Sequence, residues 1–410
     1  MFAFFLTSGI FLGWSLGAND ASNVFGTAVG SKMIRFRTAA ILCSVFVLIG
    51  AVISGAGASH TLGKLGAINA VGGAFIVALA AGLSVYLMTK MRFPVSTSQA
   101  IVGAIIGWNI FSGSLTDPQS LSKIMMTWLV CPLLAAIIAV ILYQICTFVI
   151  NHFKIHMFTL DKYTRWSLVW AGIFGSYSLG ANNIANVMGV FVPVAPFPAM
   201  DFGAFTFSPT QILFMLGGVA IGVGVFTYSK RVMLTVGQGI IELTPVAAAV
   251  VVWSHSLVLF LFSSVSLQNF LHGHGLPALP LVPVSSSQAV VGAIMGIGLM
   301  KKGFFGIQWK TVGGIASGWV TTPIIACLVS LLSLFFLQNV FQQEAYKAES
   351  YTLGPAAMER VVATGVQGSA EQALAGQQFE RATDLKQLIK EHGGSPNYTD
   401  IQAILAAAKE

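Results

Sequence analysis

The sequence predicts an all-α polytopic membrane protein. It is expected to comprise an inverted-topology repeat of two five-segment halves with broken helices or re-entrant hairpins, followed by a short soluble helical tail. Three observations predict this. Hydrophobic residues make up 55% of the 410-residue chain and charged residues only 9%, far below the ~25% with which soluble domains cover their surface. Ten apolar stretches approach or exceed the ~20 residues that a helix needs to cross ~30 Å of hydrocarbon. The chain also repeats itself, in the same order, in its two halves. Such a composition excludes a soluble enzyme and a nucleic-acid binder. The net charge of +7 does not argue for nucleic acid, because residues 1–338 carry +10 and residues 339–410 carry −3.

In chain order the apolar stretches run roughly over 1–30, 38–57, 66–89, 94–110, 124–150, 166–192, 211–228, 234–265, 283–300 and 311–338. The stretches at 94–110 and 283–300 are short, so each is either a crossing or a re-entrant segment. The expected organisation is a first membrane repeat at 1–150, a cytoplasmic linker at 151–165, a second, inverted repeat at 166–338 and a soluble tail at 339–410. Met1 leads straight into Phe2-Ala3-Phe4-Phe5 with no basic region, so no cleavable signal is expected. Cys43, Cys131, Cys146 and Cys327 stand singly in apolar stretches, without disulfide or metal spacing. In the tail, Ala373, Leu374, Phe379, Ala382, Leu385, Leu388 and Ile389 fall at three-to-four spacing and predict one amphipathic helix. It should end at Gly393-Gly394, with a last short helix capped at Thr399.

The repeat has three anchors. Ser15-Leu-Gly-Ala-Asn-Asp20-Ala-Ser-Asn23-Val24 matches Ser178-Leu-Gly-Ala-Asn-Asn183-Ile-Ala-Asn186-Val187, 163 residues on. Pro94-Val-Ser-Thr-Ser-Gln99 matches Pro283-Val-Ser-Ser-Ser-Gln288, 189 residues on, and Trp128 and Pro132 match Trp319 and Pro323, 191 residues on. Five segments per half make the second half enter the membrane from the opposite side. With the N-terminus outside and all ten segments crossing, the inner connections hold thirteen Lys and Arg and the outer ones only Lys64 and Lys123. That is the bias expected of cytoplasmic loops. Inverted repeats with polar interruptions at matching places point to a secondary transporter. No Walker A motif suggests an ATP-driven pump, and no nucleophile–base set or metal cluster suggests an enzyme.

The polar interruptions carry the chemistry. Asp20 is one of five acids in residues 1–338, and a carboxylate at mid-membrane costs ~2.5–3.5 kcal/mol even on a lenient scale. A bound cation offsets that cost. Asn19 and Asn23 are four apart and share a helix face with Asp20. Their oxygens suit a hard cation such as Na⁺, and Gly17 permits a local break that frees further carbonyls. A Gly-rich crossing with Asn side chains bonded between helices is the structural alternative. The two Pro-Val-Ser-x-Ser-Gln segments predict helices that start at Pro94 and Pro283 and present backbone N–H groups and hydroxyls at an anion-attracting N-terminus. Two such ends, one from each half, can face one another and surround a tetrahedral oxyanion. Glu242 either pairs with Lys230 or Arg231 or senses cations, and His255 reads as interfacial.

These residues resemble the inorganic phosphate transporter (PiT) family, which includes cation-coupled phosphate symporters and some bacterial sulfate permeases. The resemblance covers about 1–338. It implies inverted repeats with broken helices and hairpins, often a homodimer, in a cell membrane. By motif match it implies that Asn19, Asp20 and Asn23, with Asn182, Asn183 and Asn186 in the second half, are Na⁺ ligands, Asp20 and Asn183 also touching the anion. It implies further that Ser96, Thr97, Ser98, Ser285, Ser286 and Ser287 bind the anion, with Gln99 and Gln288 in support. Many members carry an acid in both motifs, whereas this chain has Asn183; one fewer cation or a different anion follows. The expected function is symport of inorganic phosphate with Na⁺ and no cofactor. Sulfate is the alternative substrate, H⁺ the alternative driver, and a passive anion channel the rival from another class.

Overall fold

The computed structural model describes residues 2–66, 68–90, 95–201, 203, 206–236, 243–348, 350–366 and 369–408. The first half contains α1 (Phe2–Gly30), α2 (Phe36–Ser54), α3 (Ala56–Leu65), α4 (Val71–Lys90), α5 (Thr97–Ser112) and α6 (Pro118–Phe153). The second contains α7 (Met157–Met188), continued by a 3-10 turn at Gly189–Val194, then α8 (Pro209–Thr227), α9 (Ser229–Val236), α10 (Pro245–Ser263), α11 (Val265–Gly273), α12 (Ser286–Lys302) and α13 (Trp309–Asn339). Strands β1 (Met200–Asp201) and β2 (Thr206–Phe207) make a small antiparallel ribbon between α7 and α8, with Met200 opposite Phe207.

Local chemistry sets many of the boundaries. Asp117 caps α6 by accepting from the Gln119 and Ser120 amides, with Pro118 in the first turn. Ser208 and Gln211 form a reciprocal capping box on α8, and Thr244 caps α10 ahead of Pro245. Gly113, at φ +73°, ends α5 in the left-handed conformation. Among the described residues, α1, α2, α4, α6, α8, α10 and α13 are long and apolar enough to cross a membrane. The other three predicted stretches became α7, whose first turns carry Asp161, Lys162 and Arg165, and the shorter α5 and α12, of 16 and 17 residues. Leu129, Leu133, Ile137 and Ile141 on α6, with Ile324, Leu328 and Leu332 on α13, lie exposed, forming an apolar outer surface suited to lipid.

The break predicted at Gly17 does not occur. α1 runs unbroken through it for 29 residues, and α7 runs unbroken through Gly180. The two glycines serve close helix packing instead. A Cβ at Gly17 would overlap the Ile221 carbonyl on α8, and one at Gly180 would overlap the Val47 carbonyl on α2. Residues this small let backbones approach without lost side-chain volume. The same relation recurs lower in the fold, where Gly103 on α5 abuts Pro323 of α13 and Gly292 on α12 abuts Pro132 of α6. Thus α1 packs on α8 and α7 on α2, while α5 packs on α13 and α12 on α6. In each pair one helix comes from the first half and one from the second.

The two short helices run to opposite faces. α5 is capped at its end by Gly113, whose carbonyl accepts from Thr383 N of the tail at 3.1 Å. α12 ends at Lys302, and in its last turn the Lys301 ammonium lies over the Tyr143 ring at 5.2 Å. Tyr143 is 25 residues beyond the tail-side start of α6, or ~37 Å along its axis. Between connections, Thr61 Oγ1 donates to Leu281 O at 2.6 Å, Asn69 bonds Lys347 of the tail at 3.0 Å and the Lys230 ammonium lies over the Phe36 ring at 5.9 Å.

The tail forms a helical module with its own core. β3 (Tyr351–Thr352) pairs with β4 (Gln378–Phe379), and α14 (Pro355–Val362), α15 (Ser369–Leu374), α16 (Ala382–Glu391) and α17 (Tyr398–Ala408) surround them. Leu353, Val361, Leu374, Leu385, Ile389 and Ile404 fill this core, and Leu115 of the membrane body packs against it. The single helix predicted over 373–389 is two helices with β4 between them, because Gly376 takes a left-handed φ of +76°. The last helix is capped by Asn397, which exchanges bonds with Asp400, rather than by Thr399.

Candidate functional site

α1 and α7 carry their amide-rich motifs into the middle of the bundle, where all six predicted residues are buried: Asn19, Asp20 and Asn23, and Asn182, Asn183 and Asn186. Ahead of α5 and α12 the chain is extended, and helix begins three residues after each proline, at Thr97 and Ser286 rather than at the proline itself. Ser96 and Ser285 are the N-caps; each hydroxyl accepts from the amide of the following Gln, Gln99 or Gln288, at 3.2 Å. Because Ser96 and Ser285 are extended N-caps, the Val95 and Val284 carbonyls stay outside any helix and become acceptors. Asn19 Nδ2 donates to Val95 O at 3.0 Å, and its counterpart Asn182 Nδ2 donates to Val284 O at 2.9 Å. The two halves make the same contact at the repeat spacing. Pro94 itself lies outside the described residues.

The halves also cross. Asn23 Nδ2 donates to Ser286 Oγ at 3.0 Å, and Asn186 Nδ2 donates to Ser98 Oγ at 2.8 Å. Ser98 in turn donates to Val284 O at 3.1 Å, so the two helix starts meet directly. Asn19 Nδ2 also donates to Asp20 Oδ1 at 2.8 Å. Asp20 is 2% exposed and makes no ion pair among the described residues. In the second half Asn183 is satisfied by its neighbours: Nδ2 donates to Leu179 O at 3.3 Å and Oδ1 accepts from Asn186 at 3.0 Å. Ser285 and Ser287 hydroxyls pair with one another at 3.1 Å. Several polar atoms in this centre are buried without a partner among the described residues: Thr97 Oγ1, Gln99 Oε1, Asn186 Oδ1, Gln288 Oε1 and His255 Nδ1. Native proteins seldom leave such atoms unpaired unless something else satisfies them.

His255 is the residue that sequence reasoning misplaced. It is fully buried on α10, not interfacial, and its Nε2 lies 2.9 Å from Ser286 Oγ. The available signal was its place midway along an apolar 19-residue segment, flanked by Ser254 and Ser256, where an interfacial side chain does not belong. Glu242 lies outside the described residues.

A helical bundle with a lipid-facing apolar surface, two short helices whose starts meet at its centre and a buried polar cluster lined from both halves is built as a multi-pass membrane permease, not an enzyme. The chain belongs to the phosphate transporter family, whose model matches residues 16–268 and 279–394. The second matched stretch extends past the membrane body into the tail. A protein of Methanocaldococcus jannaschii, provisionally named a phosphate permease, is 29% identical over 319 residues, covering 77% of this chain and 91% of the relative. The sulfate permease CysP of Bacillus subtilis is 28% identical over 341 residues, covering 81% and 87%. Among solved structures, a sodium-dependent phosphate transporter superposes with a TM-score of 0.63 at 20% identity, covering 82% of this chain and 98% of that one; it shares the fold.

Proposed function

We propose that this protein is a symporter that brings inorganic phosphate across the cell membrane together with Na⁺, using two inverted halves that meet at the site described above. The observation that supports this most is the single hydrogen-bonded cluster joining the buried Asp20 carboxylate, the Asn side chains of both halves and the starts of α5 and α12. Each helix start carries roughly half a positive charge, so the two together offset about one unit on an oxyanion. Ser96 and Ser285 hold the starts in shape, while Thr97 and Ser286, with the free amides of the first turn, supply donors, and Ser98 and Ser287 join them when the anion displaces their bonds to Val284 O and Ser285. Gln99 and Gln288 support them. Asn19, Asp20, Asn23, Asn182, Asn183 and Asn186 supply oxygens for Na⁺, with Asp20 the only anionic one; Asp20 and Asn183 also flank the anion.

Energetics make the cation necessary. Each charge moved against 100 mV costs ~2.3 kcal/mol, so a dianion costs ~4.6 kcal/mol, and among the described residues the site has no Lys or Arg to compensate. The family and the shared fold support a phosphate permease; the printed name of the structural neighbour, a sodium-dependent transporter, favours Na⁺ over H⁺ as the driver. Sulfate is the second reading, favoured by the likeness to a sulfate permease and by the neutral Asn183. Proteoliposome uptake of labelled phosphate and labelled sulfate, each with and without an inward Na⁺ gradient, tests the proposal. Phosphate accumulation that rises with the gradient and is not displaced by equimolar sulfate is expected. Uptake indifferent to both Na⁺ and pH gradients would mean a channel and overturn it.

A further inference from the structure

The two halves are not equivalent around their helix starts. By the repeat spacing Thr97 and Ser286 occupy matching places, yet Thr97 Oγ1 has no partner whereas Ser286 Oγ is contacted by both Asn23 Nδ2 at 3.0 Å and His255 Nε2 at 2.9 Å. Helix packing identifies what stands opposite His255 in the first half. A Cβ at Gly82 would meet Leu12 and one at Gly175 would meet Ser256; since Leu12 and Gly175 are 163 residues apart, Gly82 corresponds to Ser256 and Ala81 to His255. Ala81 is fully buried, so the fold places a methyl group there and does not require an imidazole.

A serine hydroxyl has two acceptor lone pairs and one hydrogen. Asn23 fills one lone pair. The tautomer of His255 decides the rest. With hydrogen on Nδ1, a buried N–H would be left without an acceptor, an arrangement that proteins avoid more strictly than an unused acceptor. With hydrogen on Nε2, the imidazole donates into the second lone pair of Ser286, and the only hydrogen-bonding capacity left on that hydroxyl is its own hydrogen. The geometry points to His255 as a positioning residue: with Asn23 it saturates the Ser286 oxygen and so dedicates the Ser286 O–H to donating to a transported oxyanion. His255 touches the anion only through this hydroxyl. The inference rests on Ser286 being an anion donor, as proposed above.

A double-mutant cycle in proteoliposomes, with labelled phosphate and sulfate as the probes, separates the two levels. Ser286→Ala is expected to raise the KM for the transported anion about tenfold, the loss of one dedicated hydrogen bond, at little cost in kcat. His255→Leu should raise KM by a similar factor in the parent protein and by less than about twofold in the Ser286→Ala background, because the hydroxyl it acts through is already gone. His255→Gln, whose Nε2 amide is also a donor, should restore most of the affinity. If Ser286→Ala leaves KM unchanged, the anion-site reading of Ser286 fails. If Ser286→Ala raises KM but His255→Leu multiplies it fully in both backgrounds, or lowers kcat equally in both, the histidine is only packing and the positioning role is overturned. Detergent-solubilised melting of each variant accompanies the kinetics. Should His255→Leu fail to fold, the Gln and Asn variants decide: the positioning role requires Gln to lie near the parent KM, and Asn, which is one methylene too short to reach Ser286, to show the raised KM.

Discussion

At the scale of single residues, the clearest asymmetry is between Asp20 and Asn183. Both lie in the same place of the repeated motif, both are buried, and only one carries charge. Asp20→Asn keeps the shape and its bond from Asn19 while removing the carboxylate proposed above to hold Na⁺. Losing a charged hydrogen-bonding partner costs ~1.5–3 kcal/mol, so the Na⁺ concentration for half-maximal uptake should rise roughly 10–100-fold, read from phosphate uptake at graded Na⁺. The reverse substitution, Asn183→Asp, breaks the amide bond to Leu179 O but adds a charge in the second half. It should steepen the dependence of uptake on Na⁺ by about one cation, because a second buried carboxylate calls for one more counter-charge; an unchanged Hill slope would place the cation elsewhere. Asp20 and the Asn and Ser clusters were legible in the sequence because polar groups in an apolar segment are costly to bury and stand out. His255 was not, since one histidine in an apolar run has no spacing partner and its partner Ser286 is 31 residues away.

At the scale of elements, the helix starts of α5 and α12 have to be rigid to aim their amides. Ser96→Ala and Ser285→Ala each remove a cap worth ~1 kcal/mol, and each should lower the melting temperature modestly while weakening anion affinity. Gly17→Val and Gly180→Val are of another order. Each puts a branched side chain against a backbone carbonyl, and overpacking of this kind typically costs ~1–3 kcal/mol and more when backbone must move. Differential scanning of the detergent-solubilised protein should rank both glycine variants below both cap variants. The sequence predicted that Gly17 would break α1, reasoning from conformational freedom. The glycine instead provides contact space for a helix far along the chain, a partner that local pattern does not name. The tail shows the same limit: three-to-four spacing continued across Gly376 and concealed β4.

At the scale of the whole molecule, the tail grips the end of α5 that lies farthest from the site. Trp108 Nε1 donates to Ala345 O at 3.1 Å, Asn69 and Lys347 exchange two bonds of 3.0 Å, and Thr383 N donates to Gly113 O. None of these groups belongs to the buried polar cluster. Truncation after Gln343 should therefore leave phosphate uptake in place but lower the melting temperature, since it orphans a buried Trp108 N–H at a cost of ~1–3 kcal/mol. The membrane class was legible from composition, which reports on the solvent rather than on partners. Which helix sits against which was not, because the repeat states only that two halves are alike. The exchanged packing of those halves has a mechanical consequence. With α1 locked to α8, α2 to α7, α5 to α13 and α6 to α12 through backbone contacts at glycine, rocking one repeat as a rigid body against the other would pull all four seams apart together. For the symport proposed above, the hinge that would expose cargo alternately to either side then lies between composite blocks, each containing helices from both halves.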